Sequence, residues 1–120
     1  MSAIHRNMSV RIAGALALTF GMASFAAAGQ DAEQIKKGEA VYTAQKCSLC
    51  HAVAGKGNKA NALDGVGQKL SAEDIRQWIT HPTEMTAKAK STKKPPMPAK
   101  YGSLPAPDLD ALVAYLASLK

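Results

Sequence analysis

Three stretches of the chain repeat apolar residues at helical spacing, and two long polar segments separate them. Ile35, Gly38, Val41 and Tyr42 recur near every 3.6 residues, with Asp31 and Glu33 ahead of them where acids suit a helix start. This predicts a helix from Asp31 to about Lys46. Ser71, followed three residues later by Asp74, reads as the cap of a second helix whose stripe is Ile75, Trp78 and Ile79, and Pro82 is expected to stop it. Pro107 and Asp108 open the last and strongest helix, with Leu109, Leu112, Val113, Leu116 and Leu119 on one face. Between these elements, Ser48 to Lys69 is rich in Gly, Asn and Lys, and Thr83 to Pro107 holds five of the six prolines. No segment alternates as a strand does and no repeat appears, so the pattern predicts an all-α domain of three main helices and two long loops. A loop as long as the second is by length alone a place to look for function or disorder.

The N-terminal part follows a different rule. Met1 to Ala28 carries Arg6, Arg11 and no acid, then an apolar run from Ile12 to Phe20, then small residues ending Ala26-Ala27-Ala28. That is the pattern of a secretory signal, and the run, broken by Gly14, Thr19, Gly21 and Ser24, falls short of the roughly 20 apolar residues of a membrane span. The expected organisation is a cleaved leader over 1–28 and one domain over 29–120, released outside the cytoplasm in the periplasm, with no stable membrane insertion.

Composition matters mainly for what the leader takes away. Of the 120 residues 47% are hydrophobic and the net charge is +6, yet both Phe lie in the first 28 positions. The remaining 92 residues carry 13 basic and 9 acidic groups, and 15 of their 38 hydrophobic residues are Ala. That core is lean for an independent fold, and domains of this size usually need a staple. A basic surface with few aromatics favours acidic protein partners and argues against binding single-stranded nucleic acid.

The staple is readable at Cys47-Ser48-Leu49-Cys50-His51. C-x-x-C-H is the attachment sequence of a c-type haem: two thiols at this spacing reach the two vinyl groups of the porphyrin, and the adjacent His51 lies under the iron. Three other readings of the pair compete. A short disulfide leaves the lean core unexplained, a thioredoxin-like redox pair lacks its βαβ setting, and zinc lacks ligands, since His81 stands at no finger spacing from His51.

With these residues in place the chain, from about Ala32 to Lys120, resembles the class I monohaem cytochromes c. The resemblance runs through Gly38 and Tyr42, the motif Cys47 to His51, Trp78, Pro96-Met97-Pro98 and the closing helix Leu109 to Leu116. It implies a cytochrome c fold wrapped around one covalently bound haem c and its iron, with Cys47 and Cys50 as thioethers, His51 as proximal ligand and Met97 as distal ligand. It also implies a close crossing of the first and last helices, Gly38 and Tyr42 meeting Leu112, Tyr115 and Leu116. Trp78 and Tyr101 become candidate contacts to the propionates or the pocket. Met97 is preferred over Met85 and His81 because its two flanking prolines fix the backbone in a loop that no helix face claims. One departure stands out. Many relatives have a Gly-Pro pair after the motif whose Pro carbonyl accepts the proximal His N–H, whereas this chain has Asn61-Ala62 there.

The function so implied is a one-electron carrier, not an enzyme, exchanging electrons with a donor and an acceptor that are acidic where they dock. Lys88, Lys90, Lys93 and Lys94 are the candidate docking cations, and a monomer serving a respiratory chain is expected. Two alternatives are an electron-entry subunit of a larger oxidoreductase, and a haem sensor or peroxidase should Met97 not hold the iron.

Overall fold

The computed structural model describes residues 23–120, with side chains from Asp31 onward. Five helices carry the fold: α1 (Ala23–Ala44), α2 (Val66–Lys69), α3 (Ala72–Thr80), α4 (Pro82–Lys88) and α5 (Ala106–Ser118). A hairpin of two-residue strands, β1 (Ala52–Val53) and β2 (Lys56–Gly57), pairs antiparallel with Ala52 opposite Gly57. Residues 1–22 of the expected leader lie outside the described residues, and the expected cleavage point falls within α1.

The three expected helices are present, but α1 begins at Ala23 and not at Asp31, so Asp31 and Glu33 lie inside the helix and not in its first turn. Past Ala44 the backbone turns out of the helix at Lys46, which takes a left-handed conformation with φ 55°. The Ser71 hydroxyl accepts a hydrogen bond from the Asp74 N–H at 3.1 Å, the cap its position predicted. The last helix begins one residue earlier than expected, at Ala106, with Pro107 inside its first turn, where a missing N–H costs nothing.

Further expectations need correction. Pro82 does not end helical structure. The chain breaks at His81, with φ −131° and ψ 52°, and Pro82 then occupies the first position of α4. The same property explains both readings, because proline forbids helix before it and favours helix after it. The long second loop is therefore shorter than expected, and a 3₁₀ turn at Ala99–Ser103 shortens it again. The first loop is not devoid of strand either, but strands of two residues are too short to display alternation in sequence.

The core is assembled where α1, α3 and α5 meet. Val41, Tyr42, Ile75, Ile79, Leu109, Leu112, Val113, Tyr115 and Leu116 are buried in one cluster. The Tyr42 and Tyr115 rings meet edge to face with centroids 5.6 Å apart. Gly38 permits this approach: a Cβ there would collide with the Ala111 carbonyl and lie 2.6 Å from Tyr115 Cβ. The expected partner Tyr115 is met, and Ala111, a small residue on the facing helix, is added. Gly67 does the same for α2, where a Cβ would strike the Ala117 carbonyl. Its N–H donates to the Leu119 carbonyl at 2.8 Å. The domain is thus closed by backbone-to-backbone contacts at two glycines.

Candidate functional site

The motif follows directly on the end of α1. Cys47–Leu49 form a 3₁₀ turn, and the His51 N–H donates to the Cys47 carbonyl at 2.9 Å, so both thiols and the imidazole issue from a single tight turn. Cys47 and Cys50 are not joined to each other in a disulfide, so both sulfurs can serve a haem anchor. Cys47 is half-buried and packs on the core cluster, Cys50 is exposed, and Leu49 between them is 72% exposed. Burial pushes the Cys47 thiol above its ordinary pKa, with Cys50 nearby adding to the effect, which outweighs the backbone hydrogen bond that lowers it.

The hairpin is folded back on the motif. The Asn58 N–H lies 3.0 Å from the His51 carbonyl and 3.2 Å from that of Ser48, and Gly57, at φ 109°, has no room for a Cβ against the His51 carbonyl. Asn58 then caps a 3₁₀ turn, Lys59–Asn61, its side chain accepting from the Ala60 N–H at 3.1 Å. This turn delivers the Asn61 carbonyl to within 3.0 Å of His51 Nδ1. A carbonyl can only accept, so Nδ1 bears the proton and Nε2 keeps its lone pair. An imidazole held in this tautomer is prepared to bind a metal through Nε2. The departure noted in the sequence thus leaves the contact intact, with the carbonyl coming from Asn61, the first residue of the Asn61-Ala62 pair, and not from Ala62, which stands in the place of the Pro.

The remaining candidates take distinct places. Met97 and Tyr101 are half-buried and pack on the same core cluster as Cys47. Tyr101 also lies under Lys100, whose Nζ is 5.1 Å from the ring centroid. Trp78 is half-buried on α3 but stands apart from the cluster that holds its helix neighbours Ile75 and Ile79. His81 is exposed at the end of α3, its Nδ1 2.8 Å from the Thr80 hydroxyl, which fits a helix-end residue. Met85 is half-buried on α4 and outside the cluster.

One residue gains weight that sequence reasoning had not given it. Tyr42 is 8% exposed, and its phenol oxygen is buried with no hydrogen-bond partner among the described residues. Burial, with smaller contributions from Cys47, Tyr115 and Asp64, pushes this phenol up to about 12, so it remains a neutral donor across the physiological range. A buried hydroxyl left unpaired costs about 1–3 kcal/mol, so the position calls for a polar acceptor from outside the described residues.

The donor set fits a haem better than a bare ion. Among the described residues no three His, Cys, Asp or Glu gather as metal ligands, so these residues offer no coordination shell of their own for zinc. They offer instead two cysteines at porphyrin spacing, one imidazole with its tautomer set, a half-buried thioether at Met97, and half-buried apolar residues at Val53, Leu63, Val66, Leu70 and Leu104. Helices packed around a C-x-x-C-H turn of this kind define an all-α protein that binds haem covalently. A family model for cytochrome c matches residues 35–120, and the chain belongs to that family. No curated protein and no solved structure gives a significant match. The protein has the all-α cytochrome c fold, carries haem c with its iron bound covalently, and is a haem-based electron carrier.

Proposed function

We propose that the protein is a diffusible one-electron carrier whose iron is held by His51 and Met97. The observation that carries this reading is the His51–Asn61 hydrogen bond, which leaves Nε2 as the free imidazole donor. When bound, haem supplies a ferrous/ferric couple, and a thioether ligand favours the ferrous form and raises the potential. Met97 suits the role of second iron ligand because Pro96 and Pro98 fix the backbone on both sides and because it packs, as Cys47 does, on the core cluster. With His51 and Met97 both holding the iron, small ligands would be excluded and charge transfer would be the remaining chemistry. Cys47, Cys50 and the packed core hold the group in one geometry, so little rearrangement accompanies a change in charge.

The exposed lysines at 88, 90, 93 and 94, with Lys100 nearby in sequence, support docking to partners that are acidic at their contact face. Among the described residues no helix is long and apolar enough to cross a membrane. Together with the leader pattern in residues 1–28, this supports a monomer working free in the periplasm between a donor and an acceptor, as in a respiratory chain. The test is spectroscopic. The oxidised protein is expected to show a methionine-to-iron charge-transfer band, and the reduced protein is expected to leave its spectrum unchanged under carbon monoxide. Rapid carbon monoxide binding by the wild-type protein would favour a sensor or peroxidase and overturn the carrier.

A further inference from the structure

We infer that Lys93 is a positioning residue that clasps the Met97-bearing loop onto the turn that orients His51. Its ammonium donates to the Ala60 carbonyl at 2.7 Å and to Asn61 Oδ1 at 2.7 Å. Asn61 is the same residue whose backbone carbonyl accepts from His51 Nδ1 at 3.0 Å and whose Nδ2 donates to the Cys50 carbonyl at 3.1 Å. The two outer bonds fix the side-chain amide without ambiguity, since Oδ1 must face the cation and Nδ2 the carbonyl. One amide therefore joins three elements: the haem-binding turn, the Lys59–Asn61 turn, and the loop in which Lys93 stands four residues before Met97.

The physical need for such a clasp arises at Asn61 itself. A proline at the carbonyl-bearing position would fix φ and hold the acceptor by covalent geometry. Asn61 has no such restraint, and its peptide can swing unless other bonds hold it. Lys93 and the Cys50 carbonyl supply two of them. The cation has a second effect, because an ammonium bonded to the Ala60 carbonyl and Asn61 Oδ1 adds positive potential at the neighbouring Asn61 carbonyl, which weakens its pull on the His51 proton, and would add positive potential near the iron. Both act in one direction, toward the ferrous state. Lys93 is exposed, so its hydrogen bonds add little to overall stability. What it governs is the orientation and basicity of a ligand.

The inference rests on the reading that His51 ligates the iron, and the experiment separates the two. The holoprotein and its K93Q, K93R and K94Q variants would be compared by reduction potential and by the exchange rate of the His51 ring N–H, followed by NMR at low and high salt. Lys94 is the control, since it is exposed and has no hydrogen-bond or ion-pair partner among the described residues. K93Q is expected to speed exchange of the ring proton about threefold or more at either salt and to shift the equilibrium with a fixed mediator about threefold toward ferric protein. K94Q should leave the exchange rate at the wild-type value, K93R should restore it, and melting of all variants should stay near wild type. An exchange rate in K93Q equal to that of K94Q overturns the clasp. If the oxidised wild-type protein shows no paramagnetically shifted His51 ring resonance, ligation by His51 fails and the clasp with it. A shifted resonance that ignores K93Q overturns the clasp alone.

Discussion

Replacing Gly38 by alanine is expected to cost about 4 kcal/mol or more, enough to leave much of the protein unfolded, although the change adds one methyl group to a helix. On propensity alone the substitution would stabilise α1 by about 1 kcal/mol. Packing reverses the sign. The new Cβ would collide with the Ala111 carbonyl and lie 2.6 Å from both its carbonyl carbon and Tyr115 Cβ. Two of these atoms are backbone, so no side-chain rotation relieves the overlap, and α1 and α5 must separate. That separation would open the Tyr42–Tyr115 contact, whose centroids are 5.6 Å apart, and the buried row Leu109, Leu112, Val113 and Leu116 behind it. Denaturant unfolding of the holoprotein measures the loss. A G38A variant within 1 kcal/mol of wild type would show that the two helices can pack without this close approach.

Replacing Met97 by alanine is expected to leave the fold nearly intact and to change the chemistry greatly. Met97 is only half-buried at the edge of the cluster, so its truncation sits at the low end of the 2–5 kcal/mol range for buried Met to Ala. As the proposed iron ligand, however, its thioether has no substitute in its own loop. Met85 lies on α4 away from the cluster, and His81 is turned toward the Thr80 hydroxyl at the end of α3. The M97A protein should lose the methionine-to-iron band, bind carbon monoxide when reduced, and hold its electron more weakly, because a ligand that favours ferrous iron has gone. The covalent attachment through Cys47 and Cys50 should survive. An M97A variant with the wild-type spectrum would move the distal role to another side chain.

These two residues also show how unevenly sequence discloses structure. The value of Gly38 could be suspected from its position in an apolar stripe, because a glycine there is paid for only by close contact, but the partner Ala111 lies 73 positions away and no spacing rule names it. The Ser71 cap and the stripe of α5 were legible because capping and amphipathicity act within a few residues. The restart of helix at Pro82 was not, since the same proline that forbids helix at His81 permits it afterwards. The haem-binding turn was read outright from five consecutive residues. Its supports were not: the Asn61 carbonyl, the Lys93 ammonium and the unpaired Tyr42 phenol act across the fold, 10, 32 and more residues from what they hold in the first two cases. Local chemistry identifies the group bound here, and long-range contacts set how it is held.

The claim on which the rest depends is that Cys47 and Cys50 join the chain to haem. The C-x-x-C-H spacing and the family membership both lead to thioether bonds, which acid does not break. The most direct measurement is acid–acetone extraction of the purified native protein, followed by the mass of the chain and a thiol titration. The expected result is colour retained by the precipitated protein, a mass increased by one haem, and no titratable thiol. Colour passing into the acetone, with two thiols recovered on a chain of unaltered mass, would contradict it.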